Sequence, residues 1–528
     1  MSTSTTEAKI LRAASKNDRR YITRHALGFY RALIIGGLYT FPQEAGSGIH
    51  ADTELLDIAD FNTYIPALKH CIAKHPVLSA GIRGQDGEEP VFVRPEELDV
   101  RRHLVILRAD AVTGVGGGES DSEGKDGDDE IEALKCVMLQ THDQDFQEDI
   151  ERIPPWKIVV FPLPPKEGLR RAYILFAYSH SHGDGRSGLN FHRTLLEGLR
   201  SGGRGFDSTP VYPTSELAAL PPALEDACTL KITMGFLLFT LLGTFIPTWL
   251  RKWLGFKTPL ASEETWTGKV MQYNAGNFRT GMEILLVQRD RVEVVMNICR
   301  EKGGARFTGL LNQLIVKALS DVLPEHDASC AAEDFIGQIV VDLRAQVPAY
   351  NIDMMVNCAS AVYEGSLRVG KVTSTVGLKD DEALWEATRG TTARLAHSAR
   401  TLVDQPIGLV QYLDKFRPWF LEKVGQARDS SYEISNAVVF DPSFKDSATG
   451  VESDKSGAWD IERMVFSQPA NVTSCLLHFS VVTRKDGEMV ITANWQIGVL
   501  GVADENGFAK DVLTKIDGYL AEIAGIPR

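Results

Sequence analysis

Residues 172–178, Ala-Tyr-Ile-Leu-Phe-Ala-Tyr, form a nearly unbroken apolar run. A run of this kind, without polar alternation, reads as a strand covered on both faces. It passes through Ser179-His180-Ser181-His182-Gly183-Asp184-Gly185 into a helical pattern from Gly188 to Leu199. A side chain on such a strand-to-helix turn is held rigidly yet stays reachable. The strand must lie inside a layered structure, and the rest of the chain must supply the layers.

At 528 residues the chain is too long for one ordinary core, and two large domains are expected. Residues 18–80 read as helix, strand, helix, and Trp156–Phe161 as a strand. Prolines from Pro210 to Pro222 mark a crossover, after which the style repeats. Helices are expected at 307–323 and 383–403, and strands at 336–343, 359–363, 432–440, 475–483 and 489–495. The simplest architecture is α/β (α+β): two similar halves, each a mixed sheet with helices on one face. The corresponding division is 1–212, a crossover at 213–265, and 266–528.

Charge and cysteines narrow the function classes. The net charge of −14 argues against a nucleic-acid surface, and half of it sits between Glu119 and Glu132, where eight acids meet one lysine. From about Thr113 to Asp129 glycine and acids dominate, so this stretch is expected to be a surface loop or disordered. Glu119, Asp121, Glu123, Gly124 and Glu130 fall at calcium-loop offsets, but the first position is not aspartate and no helix precedes it, so chance is the better explanation. Lys445 to Ser456 is a second polar insertion. Seven scattered cysteines form no metal-binding spacing and fit a reducing compartment. Met1 to Lys16 lacks the apolar core of a signal peptide, so export is not expected and an intracellular, cytoplasmic location is. The Asn471-Val472-Thr473 sequon is then only sequence, and a monomer is expected.

Residues 232–250 carry no charge and are long enough for a membrane helix. A single crossing in mid-chain would separate the halves, and Pro247 interrupts the helix. Trp249, Arg251, Lys252 and Trp253 resemble an interfacial anchor, which favours a segment at 232–256 that dips into or lies on a membrane such as endoplasmic reticulum or a lipid droplet. A helix buried under the crossover is the alternative.

His180, Asp184 and Gly185 carry the chemistry. A neutral imidazole accepts the proton of an attacking alcohol and passes it to a departing thiolate, so one histidine serves both steps without a covalent intermediate. Asp184 is expected to point away from substrate and pair with an arginine, the best candidate being Arg344 in Val341-Asp342-Leu343-Arg344. In an extended segment His182 would share His180's face, so spacing does not choose between them. Two histidines with a nearby aspartate also resemble a metal site, but no further ligand lies close in sequence, and no metal is expected.

The chain resembles the alcohol acetyltransferase family of yeasts and filamentous fungi, whose wider relatives are plant BAHD acyltransferases, chloramphenicol acetyltransferase and condensation domains. Besides the His-x-x-x-Asp-Gly motif, the resemblance rests on Tyr21 to Tyr30, Lys74-His75-Pro76-Val77-Leu78, Pro155-Trp156-Lys157, Val341 to Arg344, Tyr432 to Asn436 and Phe466-Ser467-Gln468. It implies two chloramphenicol-acetyltransferase-like domains with a channel between them. Acetyl-CoA or another acyl-CoA would enter from one side and a small or lipophilic alcohol, such as a secondary metabolite, from the other, meeting at His180. Gly185, Ser435 and Asn436 are the oxyanion candidates. Three departures stand out: Ser179-His180 replaces the doubled histidine of condensation domains, the Asp-Phe-Gly-Trp-Gly stretch of the plant enzymes is missing, and Ala-Val-Val follows Asn436 where a glycine turn is usual. Transfer to a lipophilic amine, and a non-catalytic member that binds lipid or a partner, are the other readings.

Overall fold

The computed structural model describes residues 8–42, 57–108, 125–242, 261–369, 377–443 and 459–526. In chain order the strands that build the site's frame begin with β1 (Ala32–Pro42), β2 (Leu104–Ile106), β3 (Trp156–Lys166) and β4 (Leu169–Ser179). They continue with β5 (Thr280–Val287), β6 (Asp334–Asp342), β7 (Ala359–Leu367), β8 (Tyr432–Phe440), β9 (Asp460–Ser467), β10 (Leu477–Arg484) and β11 (Met489–Gln496). The helices against them are α1 (Lys16–Ala26), α2 (Ile65–Lys74), α3 (Lys125–His142), α4 (Gly185–Arg200), α5 (Arg289–Glu301), α6 (Phe307–His326), α7 (Glu382–Ser398) and α8 (Glu505–Ala524).

Two mixed sheets result. The first has the order β9-β1-β4-β3-β2, antiparallel except for the parallel β2–β3 pair. The second has the order β5-β11-β10-β8-β6-β7, with parallel pairs at β6–β8 and β8–β10. Each is backed by helices, the architecture implied by the sequence. β4 sits at the centre of the first sheet, and its two faces explain its apolar run. Phe176 stacks on Phe191 of α4 with ring centroids 3.8 Å apart, while Tyr173, on the opposite face, reaches Glu130 of α3. Gly188 allows α4 to approach closely, since a Cβ there would collide with Ile35 of β1.

The structure departs from the sequence reading in several places. β9 belongs by sequence to the second half, yet it hydrogen-bonds to β1 and extends the first sheet, and Met464, Val465 and Phe466 are buried there. β5 went unrecognised in the sequence. The 383–403 helix stops at Ser398. The acidic stretch read as a loop to Asp129 is helical from Lys125, consistent with the preference of helix N-termini for acidic residues. Residues 113–124, with most of the calcium-loop match, lie outside the described residues. Glu130 itself is engaged by Arg171 at 2.7 Å and by Arg463 at 3.4 Å. The 445–456 insertion also lies outside. Asn471 of the sequon is buried, at 4% exposure.

Of the apolar 232–250 segment, Met234–Leu242 forms a helix that leaves Met234 and Leu238 exposed. Trp249, Arg251, Lys252 and Trp253 lie outside the described residues. No helix among the described residues is long and apolar enough to cross a membrane.

Candidate active site

The turn after β4 is a single 3-10 turn, His180–His182, followed by Gly183 in an extended conformation. Because the segment is coiled rather than extended, His180 and His182 diverge, which resolves the ambiguity left by their spacing. His182 is buried and both ring nitrogens are engaged: Nε2 donates to the Ala80 carbonyl at 2.7 Å, and Nδ1 lies 2.9 Å from Ser181 Oγ.

His180 faces the other way, onto a cavity of about 170 Å³ that takes its walls from both halves: α1, the turn itself, β6, β7, β8 and the loop after β9. Its ring stacks on Tyr21 with centroids 4.1 Å apart and planes 11° apart, and Tyr30 leans on it at 5.7 Å. Its remaining partner, Asn357, is a residue that the sequence patterns do not single out. Asn357 Nδ2 donates to the His180 carbonyl at 2.6 Å, which fixes the amide so that Oδ1 faces His180 Nδ1 at 3.0 Å. A carbonyl oxygen only accepts, so Nδ1 carries the proton. Nε2 is left as a lone pair with no partner among the described residues. Burial, and then the Arg24 guanidinium, push the pKa of His180 down to about 4, so the ring is neutral at pH 7.

Asp184 is the N-cap of α4, closing a capping box with Ser187. Arg344 Nη2 donates to its Oδ1 at 2.6 Å and the backbone N–H of Cys358 to its Oδ2 at 3.1 Å. Burial alone would raise the Asp184 carboxyl pKa, but Arg344 and these hydrogen bonds outweigh it and hold the carboxyl ionised. Arg344, 2% exposed, also bonds Asp342 Oδ1 at 2.9 Å and the Val356 carbonyl at 2.7 Å. Ser187 and Asn190 of α4 hold the same segment through Val356, Ile352 and Met354. The pair therefore ties the first half to residues 352–358 of the second, and that segment delivers Asn357 to His180. Asp184 and Asp342 are the acids on Arg344, and both oxygens of Asp184 are hydrogen-bonded away from His180.

The three oxyanion candidates separate. Gly185 and Ser435 line the His180 cavity. The Gly185 N–H, the first of α4, has no partner among the described residues, and a Cβ at Gly185 would stand 3.3 Å from the Phe466 ring. Asn436 lies on the opposite face of β8, where Nδ2 donates to Thr308 Oγ1 at 3.0 Å and Oδ1 accepts from Val438 N at 2.8 Å. The Ala-Val-Val that replaces a glycine turn forms a β-bulge in which Val438 adopts φ 66°, and Asn436 braces it. Asn436 is thus not brought together with His180.

The histidine-pair metal reading fails on geometry, because His182 and Asp184 are fully engaged elsewhere. Among the described residues one other donor group clusters, Glu433, Cys475 and His478, with ligand atoms within 4.8 Å of one another. Cys475 Sγ stands 3.4 Å from both ring nitrogens of His478, a position in line with neither lone pair. Glu433 is held by Gln468 at 2.8 Å and Gln338 at 3.0 Å. These contacts describe a packed hydrogen-bonding cluster rather than a metal cradle.

The family model described as alcohol acetyltransferase matches residues 121–501. The probable alcohol acetyltransferase FCK4 of Fusarium pseudograminearum is 21% identical over 93% of this chain and 91% of its own. The probable alcohol acetyltransferase crmB of Aspergillus fumigatus is 23% identical over 92% and 94%. Among solved structures, the TRI3 trichothecene 15-O-acetyltransferase of Fusarium sporotrichioides superposes with a TM-score of 0.61 at 14% identity, covering 97% of this chain and 94% of its own.

Proposed function

This chain belongs to the alcohol acetyltransferase family and is an acyltransferase; on that premise we propose that it transfers an acetyl group from acetyl-CoA to the hydroxyl of a small alcohol, with His180 as general base. The observation that carries this reading is the pairing of a tethered Nδ1–H with a free Nε2 on the cavity. In the proposed step Nε2 takes the hydroxyl proton as the oxygen attacks the thioester carbon. The C–S bond then breaks, and the imidazolium returns the proton to the coenzyme A thiolate, so no acyl-enzyme forms. In this reading the Gly185 N–H and the Ser435 hydroxyl, both on the cavity wall, would receive the developing oxyanion, a term often worth ~3 kcal/mol. Asp184 and Arg344 are positioning residues that hold the turn and Asn357. In this scheme residues 1–212 and 266–528, joined by 213–265, supply the two lobes, with β9 of the second range completing the first sheet.

The cavity refines the acceptor. Gln338, Glu433, Ser435, Gln468 and Ser474 line it, so the reacting end of the acceptor is polar even where its remainder is lipophilic. An amine acceptor has one supporting observation, the buried Glu433 carboxylate on the same wall. A membrane contact at 232–256 fits the exposed Met234 and Leu238 and would bring lipophilic acceptors close. The test is to incubate the purified protein with acetyl-CoA and a panel of alcohols and amines, following free thiol and product mass. Thiol release above a His180→Ala control supports the reading, and equal release from both proteins contradicts it.

A further inference from the structure

The His180 cavity has a positively charged wall that the proposed transfer does not use. Arg20 and Arg24 lie one turn apart on α1, so they project to the same side, and both line the cavity. The Arg20 guanidinium carbon lies 4.5 Å over the Tyr21 ring and that of Arg24 4.5 Å over Tyr30, the two rings that flank His180. Arg20 donates to Asn17 Oδ1 at 3.3 Å and to Tyr21 Oη at 2.7 Å, with no carboxylate partner among the described residues. The Arg24 side chain bonds to none of the described residues, and both Nε atoms are buried without an acceptor. Two acids line the cavity. Asp184 is neutralised by Arg344, and Glu433 is held by two amides, lies 3.8 Å from His478 Nδ1 and is felt electrostatically by Arg24, but makes no direct ion pair with either arginine. Two guanidinium groups against this one remaining carboxylate leave the cavity net positive beside the base.

An arginine held in a protein wall without a partner is costly, and its planar fork matches a carboxylate. We propose that Arg24, with Arg20, forms a subsite for a carboxylate on the molecule that reacts at His180, so that the preferred acceptor is a hydroxy acid. The inference rests on the reading of His180 as base. The phosphates of coenzyme A are a poor match for the site, because the whole pantetheine arm separates them from the thioester carbon, whereas these arginines are one aromatic ring away from His180. A carboxylate on the acyl group is the other source of the same chemistry.

The test uses 3-(hydroxymethyl)benzoate and its neutral isostere 3-(hydroxymethyl)benzamide as acceptors for acetyl-CoA, with succinyl-CoA and benzyl alcohol as the reverse pair. The wild-type protein is expected to favour the benzoate over the amide in kcat/KM by at least about tenfold, the size of one charge-assisted contact. Arg24→Met should collapse that ratio towards one, and Arg24→Lys should recover part of it, with equal melting temperatures reporting intact folds. A preference for succinyl-CoA over acetyl-CoA, with no preference between acceptors, would assign the subsite to the acyl group instead. Calorimetric titration of 3-(hydroxymethyl)benzoate and the amide into His180→Ala protein reads the subsite without catalysis. Tighter benzoate binding there, lost in the His180→Ala/Arg24→Met double variant, supports the subsite even if no acceptor is acetylated, in which case only the transfer reading fails. Equal binding and equal turnover of benzoate and amide, or a preference that survives Arg24→Met, would overturn it.

Discussion

His180 and His182 stand two residues apart on one turn, and burial drives both to a pKa of about 4, with Arg24 adding to the effect at His180. They carry their protons on opposite nitrogens. His182 donates from Nε2 to Ala80 and accepts at Nδ1 from Ser181, while His180 donates from Nδ1 to Asn357 and keeps Nε2 free. One side of the turn opens on a cavity of about 170 Å³ and the other on a crevice of about 30 Å³. The pKa therefore does not separate a candidate base from a structural histidine here. The hydrogen-bond inventory does, because a nitrogen already engaged has no lone pair to offer.

The comparison breaks most sharply if His180 is removed. His180→Ala should lower kcat by a factor of ~10²–10⁴, the range for loss of a general base, in a stopped assay of thiol release. Asp184→Asn weakens the buried pair that holds both sides of the turn. Urea unfolding should show a loss approaching ~3–5 kcal/mol, the cost of leaving Arg344 without its partner. His182→Ala should act on stability instead of chemistry, costing ~1–3 kcal/mol through the orphaned Ala80 carbonyl while kcat per folded molecule stays close to wild type. Asn357→Ala should release the His180 ring and lower kcat by about tenfold, the equivalent of one hydrogen bond.

Much of this site was legible in the sequence because it is local. An apolar strand, a turn rich in glycine and histidine, and a helical period follow one another within thirty residues, and the Val341–Arg344 strand end was recognisable by pattern. Asn357 was not legible, because residues 344–358 follow neither helical nor strand periodicity and the contact spans 177 positions. β9 reads as a strand only once β1 is known to lack a neighbour on that edge. The setting of Arg24, which makes no direct ion pair among the described residues, was equally hidden, since a sequence shows a cation but not which acids it meets. Separating His180 from His182 required the 3-10 turn, which spacing alone does not reveal.

The smallest expected effect concerns pH. A histidine at its ordinary value would give an inflection in kcat near 6.5, whereas His180 should stay neutral and the rate flat until the pH approaches about 4. Stability should change sooner. His25, His103, His142, His182 and His192 all bind protons more readily unfolded, at about 6.5, than folded, at about 4. Their contribution is complete above pH 6.5 and is lost as the pH falls from there through 4, so the urea midpoint should be lower at pH 5 than at pH 7.5.

The most direct test needs no substrate. Two-dimensional ¹⁵N–¹H spectra of ring-labelled histidine, with the His180 signals assigned by their disappearance in His180→Gln, report which nitrogen holds the proton at pH 7. The tethered-base account predicts a protonated Nδ1 and a bare Nε2 for His180, with the reverse arrangement for His182. A proton on Nε2 of His180 would contradict it.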